Sequence, residues 1–251
     1  MSFETEIVEV TSENLAEHPQ AICFINPKHE SYHFKIDWLK SRFKEGLKIK
    51  LLYLSGEKRP IGFIEYVPGE YCWRSVDAKG YMFIHCLWTN GKKYQHQGLG
   101  GLLLEEVEGD AKGMKGIAVV TSDKSFMANR KIFEKHGYEL IAESGKEQLL
   151  AKKFRDAAPP SINDCELEKY KGLTMVYSKQ CPWVARFIEE VKPLLVEYNL
   201  QPEIIELGSA AQAQKAPSLY GVFNLIYRGR ILADRYISTT RFSNIVKKQI
   251  K

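Results

Sequence analysis

The sequence predicts an α/β (α+β) protein, in which a mixed sheet flanked by helices is followed by a second, smaller α/β domain. Three observations carry this. Short apolar runs of strand character alternate with segments of helical spacing along the whole chain. A stretch with paired prolines, asparagine, aspartate and clustered charge, residues 155–172, interrupts that pattern. A new strand then opens at Leu173. At 251 residues the chain exceeds the usual size of one domain, so two are expected, 1–157 and 158–251.

The elements follow in order. Strand signals lie at residues 7–10, 48–53, 61–67 and 81–89, with a helical segment at 34–43. The loop "YQHQGLGG" comes next and opens a helix whose Leu99, Leu102, Leu103 and Val107 are spaced for one buried face. Its Glu105, Glu106 and Glu108 fall mostly on the other side, as a solvated coat. Residues 117–121 form a short apolar strand. Ser125 is placed to cap a helix over 126–135, and Gly137 to stop it at the C′ position. Residues 148–154 close the first domain as a strand. In the second, strands are expected at 173–178 and 204–207, a hairpin around Arg228-Gly229, and a last helix at 240–249. Between them a helix begins at Pro182, where the missing N–H costs nothing, and Pro193 ends or kinks it.

Composition excludes several classes. Apolar residues make up 44% and charged residues 27%, which is ordinary for a globular protein and far from disorder. The net charge of +5 comes from interspersed lysine and arginine, so nucleic acid is not an expected partner. The first ten residues carry acid where a secretion signal needs base, and no apolar run reaches membrane-spanning length. A cytoplasmic protein without a membrane partner is expected. The five cysteines are scattered, with no C-x-x-C pair, so thiols rather than disulfides are expected, and no metal.

The chemistry concentrates in the glycine loop. Unpaired N–H groups and the positive dipole end at a helix N-terminus can close on a phosphate when glycines keep side chains away. Gly98, Gly100 and Gly101 suit that task. The dinucleotide fingerprint fails because Leu103 replaces its third glycine, and the P-loop fails because no G-K-[ST] follows. What remains, Gln95-His96-Gln97-Gly98-Leu99-Gly100, resembles the Q/R-x-x-G-x-G/A signature of the GCN5-related N-acetyltransferases (GNAT). The resemblance extends to the strand before it, the helix and strand after it, and "NRKIFEKHGYELI". It covers roughly residues 3–154.

This resemblance implies acetyl-CoA as the co-substrate and a small-molecule amine as acceptor. It implies a GNAT-like mixed sheet in which the backbone of Gln97, Gly98, Leu99, Gly100 and Gly101 holds the pyrophosphate, beside Gln95 and His96. The end of the strand, Leu87, Trp88 and Thr89, would pair with the pantetheine arm, with Asn129 alongside. Phe133 stands in the cofactor helix where many relatives have a tyrosine that protonates the departing thiolate. Phenylalanine cannot do so, which leaves another group, solvent, or no acetyl transfer at all.

Acyl transfer to an amine also needs a base within hydrogen-bond reach. The segment "GFIEYVPGEYCWRSVDAKGYMFIHCLWT" offers Glu65 and His85, which strand alternation could turn toward the cleft. Tyr71, Trp73 and Arg74 are candidates for the acceptor pocket.

In the second domain, "VYSKQCPW" sets Cys181 between a strand and a helix N-terminus, a place that favours thiolates. Strand, Cys-Pro, helix, strand, hairpin and helix resemble a thioredoxin-like domain. Val184 replaces the second cysteine, so disulfide cycling within the motif is ruled out and a single thiol remains for a thiol-bearing partner. That family's proline before the hairpin would be Pro217, although Gly221 lies nearer the expected position. A GNAT domain joined to such a tail resembles the bacterial YoaP-type proteins. Two readings stand: an N-acetyltransferase using Glu65, His85 and Cys181, or a CoA-binding protein that uses Cys181 without turnover. Pairing of two chains is a further expectation.

Overall fold

Alternating apolar residues place one long sheet in the first half of the chain. The computed structural model describes residues 4–21, 23, 25–89, 94, 97–122 and 128–250. In chain order its first half comprises β1 (Thr5–Val10), α1 (Glu30–Phe43), β2 (Lys48–Leu54), β3 (Gly62–Pro68), β4 (Val76–Asp77), β5 (Tyr81–Thr89), α2 (Leu99–Asp110), β6 (Gly116–Thr121), α3 (Arg130–Lys135), β7 (Glu139–Ser144), β8 (Glu147–Lys153) and β9 (Ser161–Ile162). Seven strands form one sheet in the order β1-β2-β3-β5-β6-β8-β7, while β4 pairs with β9 separately. Every neighbouring pair is antiparallel except β5 with β6.

The helix after the glycine loop packs on this sheet. Leu99, Leu103, Leu104 and Val107 of α2 share a core with Leu52, Ile64, Tyr66, Ile84 and Leu87. Leu104 thus takes the buried position expected for Leu102, which is only half-buried. Nor are all the glutamates a solvated coat. Glu106 pairs with Lys50 at 2.7 Å and Glu108 with Lys152 at 2.7 Å. Asp110 accepts from Tyr66, Lys48 and Lys50. Burial alone would raise the Asp110 carboxyl, but those hydrogen bonds outweigh it and hold the group below the usual carboxylate range.

The expected helix over 126–135 begins later. Asn129 is its N-cap, accepting from Lys131 N–H at 3.0 Å, and Ser125 lies outside the described residues. Gly137 follows it with φ +82°, and Tyr138 N–H reaches back to the Phe133 carbonyl, the C-terminal closure that glycine permits.

The second half contains β10 (Leu173–Tyr177), α4 (Pro182–Glu190), α5 (Lys192–Glu197), β11 (Glu203–Glu206), α6 (Ala210–Ala213), β12 (Phe223–Tyr227), β13 (Arg230–Ala233) and α7 (Thr239–Ile245). Their sheet order is β11-β10-β12-β13, with β10 and β11 parallel and the other pairs antiparallel. Val184, Phe187 and Ile188 of α4 share a core with Met175, Phe223, Leu225, Phe242 and Ile245. Pro193 stands in the first turn of α5, so the chain breaks one helix and starts another.

Residues cluster into two compact units: Met1–Phe24, Leu39–Cys72 and Val76–Ile162 in the first, and Ile25–Trp38, Trp73–Ser75 and Asn163–Lys251 in the second. A single cut after residue 157 does not anticipate the two early segments that belong to the second unit.

Candidate functional site

The first unit is shaped by strands that part. The parallel ladder of β5 and β6 runs from Tyr81–Gly116 to Ile84–Val119 and stops there, although β5 continues to Thr89 and β6 to Thr121. The far half of β5 stays paired with β3 on its other edge, as far as Thr89 opposite Gly62. Backbone groups on the β6 side of residues 85–89 are therefore turned into the gap, where an extended ligand could pair with them.

A bulge marks the point of parting. Glu65 lies opposite Cys86 while Tyr66 lies opposite Ile84, so His85 is the extra residue. Ile84 and Leu87, three apart, both join the α2 core, which means the bulge turns His85 and Cys86 to the opposite face. There His85 Nδ1 meets Glu65 Oε1 at 3.2 Å, and the two residues are 0% and 2% exposed. The sequence offers both as residues that could face the cleft, and in the structure they form a buried hydrogen-bonded pair.

The loop supplies the second feature. Gly98 caps α2 with φ +78°, and a Cβ there would meet none of the described residues within 4 Å. The other two glycines answer to packing. A Cβ on Gly100 would come 2.6 Å from Ile132 Cδ1, and one on Gly101 2.8 Å from the His136 ring. Their absence of side chains lets α3 and its C-cap residue close on the first turn of α2. Gly101 N–H is already given to the Gly98 carbonyl at 2.8 Å, so it is not among the donors the loop can offer a phosphate. Those of Leu99 and Gly100 precede the first intrahelical bond. Gln97 is exposed, and Gln95 and His96 lie outside the described residues.

The remaining candidates divide. Leu87 points into the core, Trp88 and Thr89 are half-buried on the parted strand, and Asn129 is occupied as an N-cap. Phe133 is fully buried against Tyr138, with ring centroids 5.5 Å apart. Tyr71 is exposed in the first unit, whereas Trp73 and Arg74 are buried in the second, the unit of Cys181. Burial pushes the Cys181 thiol up; N–H groups of Val184 and Trp183, then Lys35 and Arg74, pull the other way without reversing it.

Sequence reasoning missed His136, Lys35 and Gln180. Spacing gives no signal for them, since each reaches its neighbours from a distant part of the chain.

Comparison with known proteins bears on this arrangement. Residues 12–138 match the model of the Acetyltransferase (GNAT) family. A Bacillus subtilis protein named "Uncharacterized N-acetyltransferase YoaP" is 28% identical over 250 residues, covering 95% of this chain and 97% of that one. Among solved structures, a PaiA N-acetyltransferase from Thermoplasma acidophilum in complex with coenzyme A is 16% identical with a TM-score of 0.44, covering 61% of this chain and 100% of that one. A GNAT family acetyltransferase from Brucella melitensis in complex with acetyl-CoA is 16% identical with a TM-score of 0.40, covering 65% and 97%.

Proposed function

The chain belongs to the acetyltransferase (GNAT) family, whose enzymes depend on acetyl-CoA, and from that premise we propose that it acetylates an amine of a small molecule. The observation that carries the reading is the parting of β5 from β6 beside the glycine loop. Residues 85–89 hold the extended arm of acetyl-CoA through their open backbone edge, and the N–H groups of Leu99 and Gly100 receive its pyrophosphate. The lack of a side chain at Gly98, with no described residue within 4 Å of where its Cβ would be, fits a phosphate approaching backbone closely. Bound there, acetyl-CoA supplies an activated thioester carbonyl.

The chain's own groups then handle the proton. Glu65 accepts from His85 Nδ1–H, which sets the tautomer whose basic ring nitrogen is Nε2, the atom assigned here to take the amine proton. The Glu65–His85 bond orients the ring before substrate arrives. Phe133 has no proton to give, so the leaving sulfur takes its proton from solvent. The experiment is CoA release over a panel of small amines, with wild type beside His85→Gln and Gln97→Glu. Turnover lost in both supports the assignment, and full turnover in His85→Gln removes the histidine from it.

The second unit is read as a thioredoxin-like domain, supported by the order β11-β10-β12-β13 and by Pro182 opening the helix after Cys181. With valine at 184, Cys181 serves as a single docking thiol for a thiol-bearing partner in the cytoplasm.

A further inference from the structure

The second unit gathers buried positive charge around its thiol. Lys35 and Arg74 are 1% and 2% exposed. The Arg74 guanidinium donates to the Trp73 carbonyl at 2.7 Å and to Gln180 Oε1 at 2.6 Å, and lies 4.8 Å from the centre of the Tyr220 ring. Gln180 immediately precedes Cys181, so that bond ties the guanidinium to the start of α4. Lys35 joins the same group through aromatic contacts: its Nζ sits 4.1 Å from the Trp38 ring centre, and Trp38 packs edge-on against Trp73 at 5.2 Å. The nine-residue helix α4 starts at Pro182, directly after Gln180 and Cys181, so its positive dipole end lies beside the residue that Arg74 binds. Two cations and a helix N-terminus converging in low dielectric create a field that attracts an anion.

A second observation is independent of charge. Strand alternation sends Met175, Tyr177, Phe223 and Leu225 into the core with α4, which leaves Val176, Ser178, Val222 and Asn224 on the opposite face. On that face Ser178 Oγ and both polar side-chain atoms of Asn224 are buried without a hydrogen-bond partner among the described residues, in residues 1% and 0% exposed. Asn224 is paired with Val176, so Ser178 is its diagonal neighbour, about 7–8 Å away and within the span of one small molecule. The Trp73–Arg74 backbone passes the residue before Val222, because a Cβ on Gly221 would be 3.5 Å from the Trp73 carbonyl and 3.6 Å from Arg74 Cα. Buried polar atoms that the protein leaves unsatisfied at such a place are the groups a polar ligand would satisfy.

We infer that the second unit contains a binding site for a small organic carboxylate, held by Arg74 and Lys35 beside Cys181, with Ser178 and Asn224 reading its other polar groups. A planar carboxylate suits the fork of a guanidinium better than a point charge does, and Trp38, Trp73 and Tyr220 provide flat walls. The site stands apart from the acetyl-transfer reading and does not depend on it.

Alkylation of Cys181 in the full-length protein tests this, followed peptide by peptide in a mass spectrometer so that the other four cysteines do not interfere. Iodoacetate carries the carboxylate and iodoacetamide is its neutral counterpart; the thiolate fraction cancels in the ratio of their rates. Compared with the unfolded chain, that ratio should rise about tenfold or more at Cys181. It should fall back in Arg74→Gln, and an excess of succinate, but not of succinamide, should abolish it. A ratio equal to that of the unfolded chain, or one unchanged in Arg74→Gln, overturns the proposal. If Cys181 resists both reagents, the melting temperature in succinate against succinamide at matched ionic strength decides. A rise present in wild type and in Gln97→Glu but absent from Arg74→Gln supports the site. No rise in wild type, or one that persists in Arg74→Gln, refutes it, and one lost only in Gln97→Glu assigns the anion to the glycine loop and refutes it equally.

Discussion

Replacing Gln97 by glutamate separates what the glycine loop binds from what it packs. Substitution of Gly100 is the obvious probe, but a side chain there would strike Ile132 and disturb the helix pair whether or not a phosphate binds. Gln97 is exposed and immediately precedes the cap residue Gly98, so a carboxylate there disturbs no packing. Near a helix N-terminus it should add about 0.3–1 kcal/mol of stability. Against a bound pyrophosphate it repels. A unit charge about 6 Å away in a medium of dielectric constant about 50 costs ~1 kcal/mol, and two phosphate charges make that ~2 kcal/mol. Acetyl-CoA affinity should therefore fall about 30-fold. Calorimetric titration at low salt measures it, with Gln97→Ala expected within about twofold of wild type and the glutamate effect shrinking as salt screens the charges. A glutamate variant that melts no lower than wild type yet binds acetyl-CoA equally well would refute the placement of the pyrophosphate.

Three further outcomes follow from the same structure. Glu65→Gln should lower kcat by about 10²-fold with little change in KM for acetyl-CoA, because His85 loses the partner that orients it; steady-state kinetics at saturating amine checks this. Gly69→Ala should destabilise the first unit by about 3 kcal/mol, since its Cβ would lie 2.0 Å from the Ala78 carbonyl oxygen and backbone cannot give way cheaply; the urea midpoint reads the loss, and an unchanged midpoint contradicts it. The Asp110 carboxyl sits below its usual range in the folded state, so its contribution is present above the unfolded value near 4 and disappears as pH falls through the folded one. The stability difference between wild type and Asp110→Asn should thus be largest near pH 7 and close as the pH drops toward 3, as urea unfolding at both values would record.

Much of the architecture was legible because the signals are local. Strand alternation in residues 81–89, the glycines before α2, Gly137 after α3 and Pro182 at the start of α4 each act through their own backbone or nearest neighbours, and the structure has these elements where spacing puts them. The partners of α2 were not legible. Glu106 and Glu108 look like solvent coating until the sheet brings Lys50 and Lys152 beneath them.

The sequence by itself determined the order of elements, the loop able to meet a phosphate and the single thiol without a second cysteine two residues beyond its proline. Tertiary structure decided the rest. A bulge at His85 joins it to Glu65 twenty residues away, and no periodicity encodes where a ladder slips by one residue. Folding also carries residues 25–38 and 73–75 into the second unit, where Lys35, Arg74 and Gln180 meet beside Cys181. Long-range side-chain convergence depends on how whole elements pack, and that information is spread over the chain rather than held in any one stretch of it.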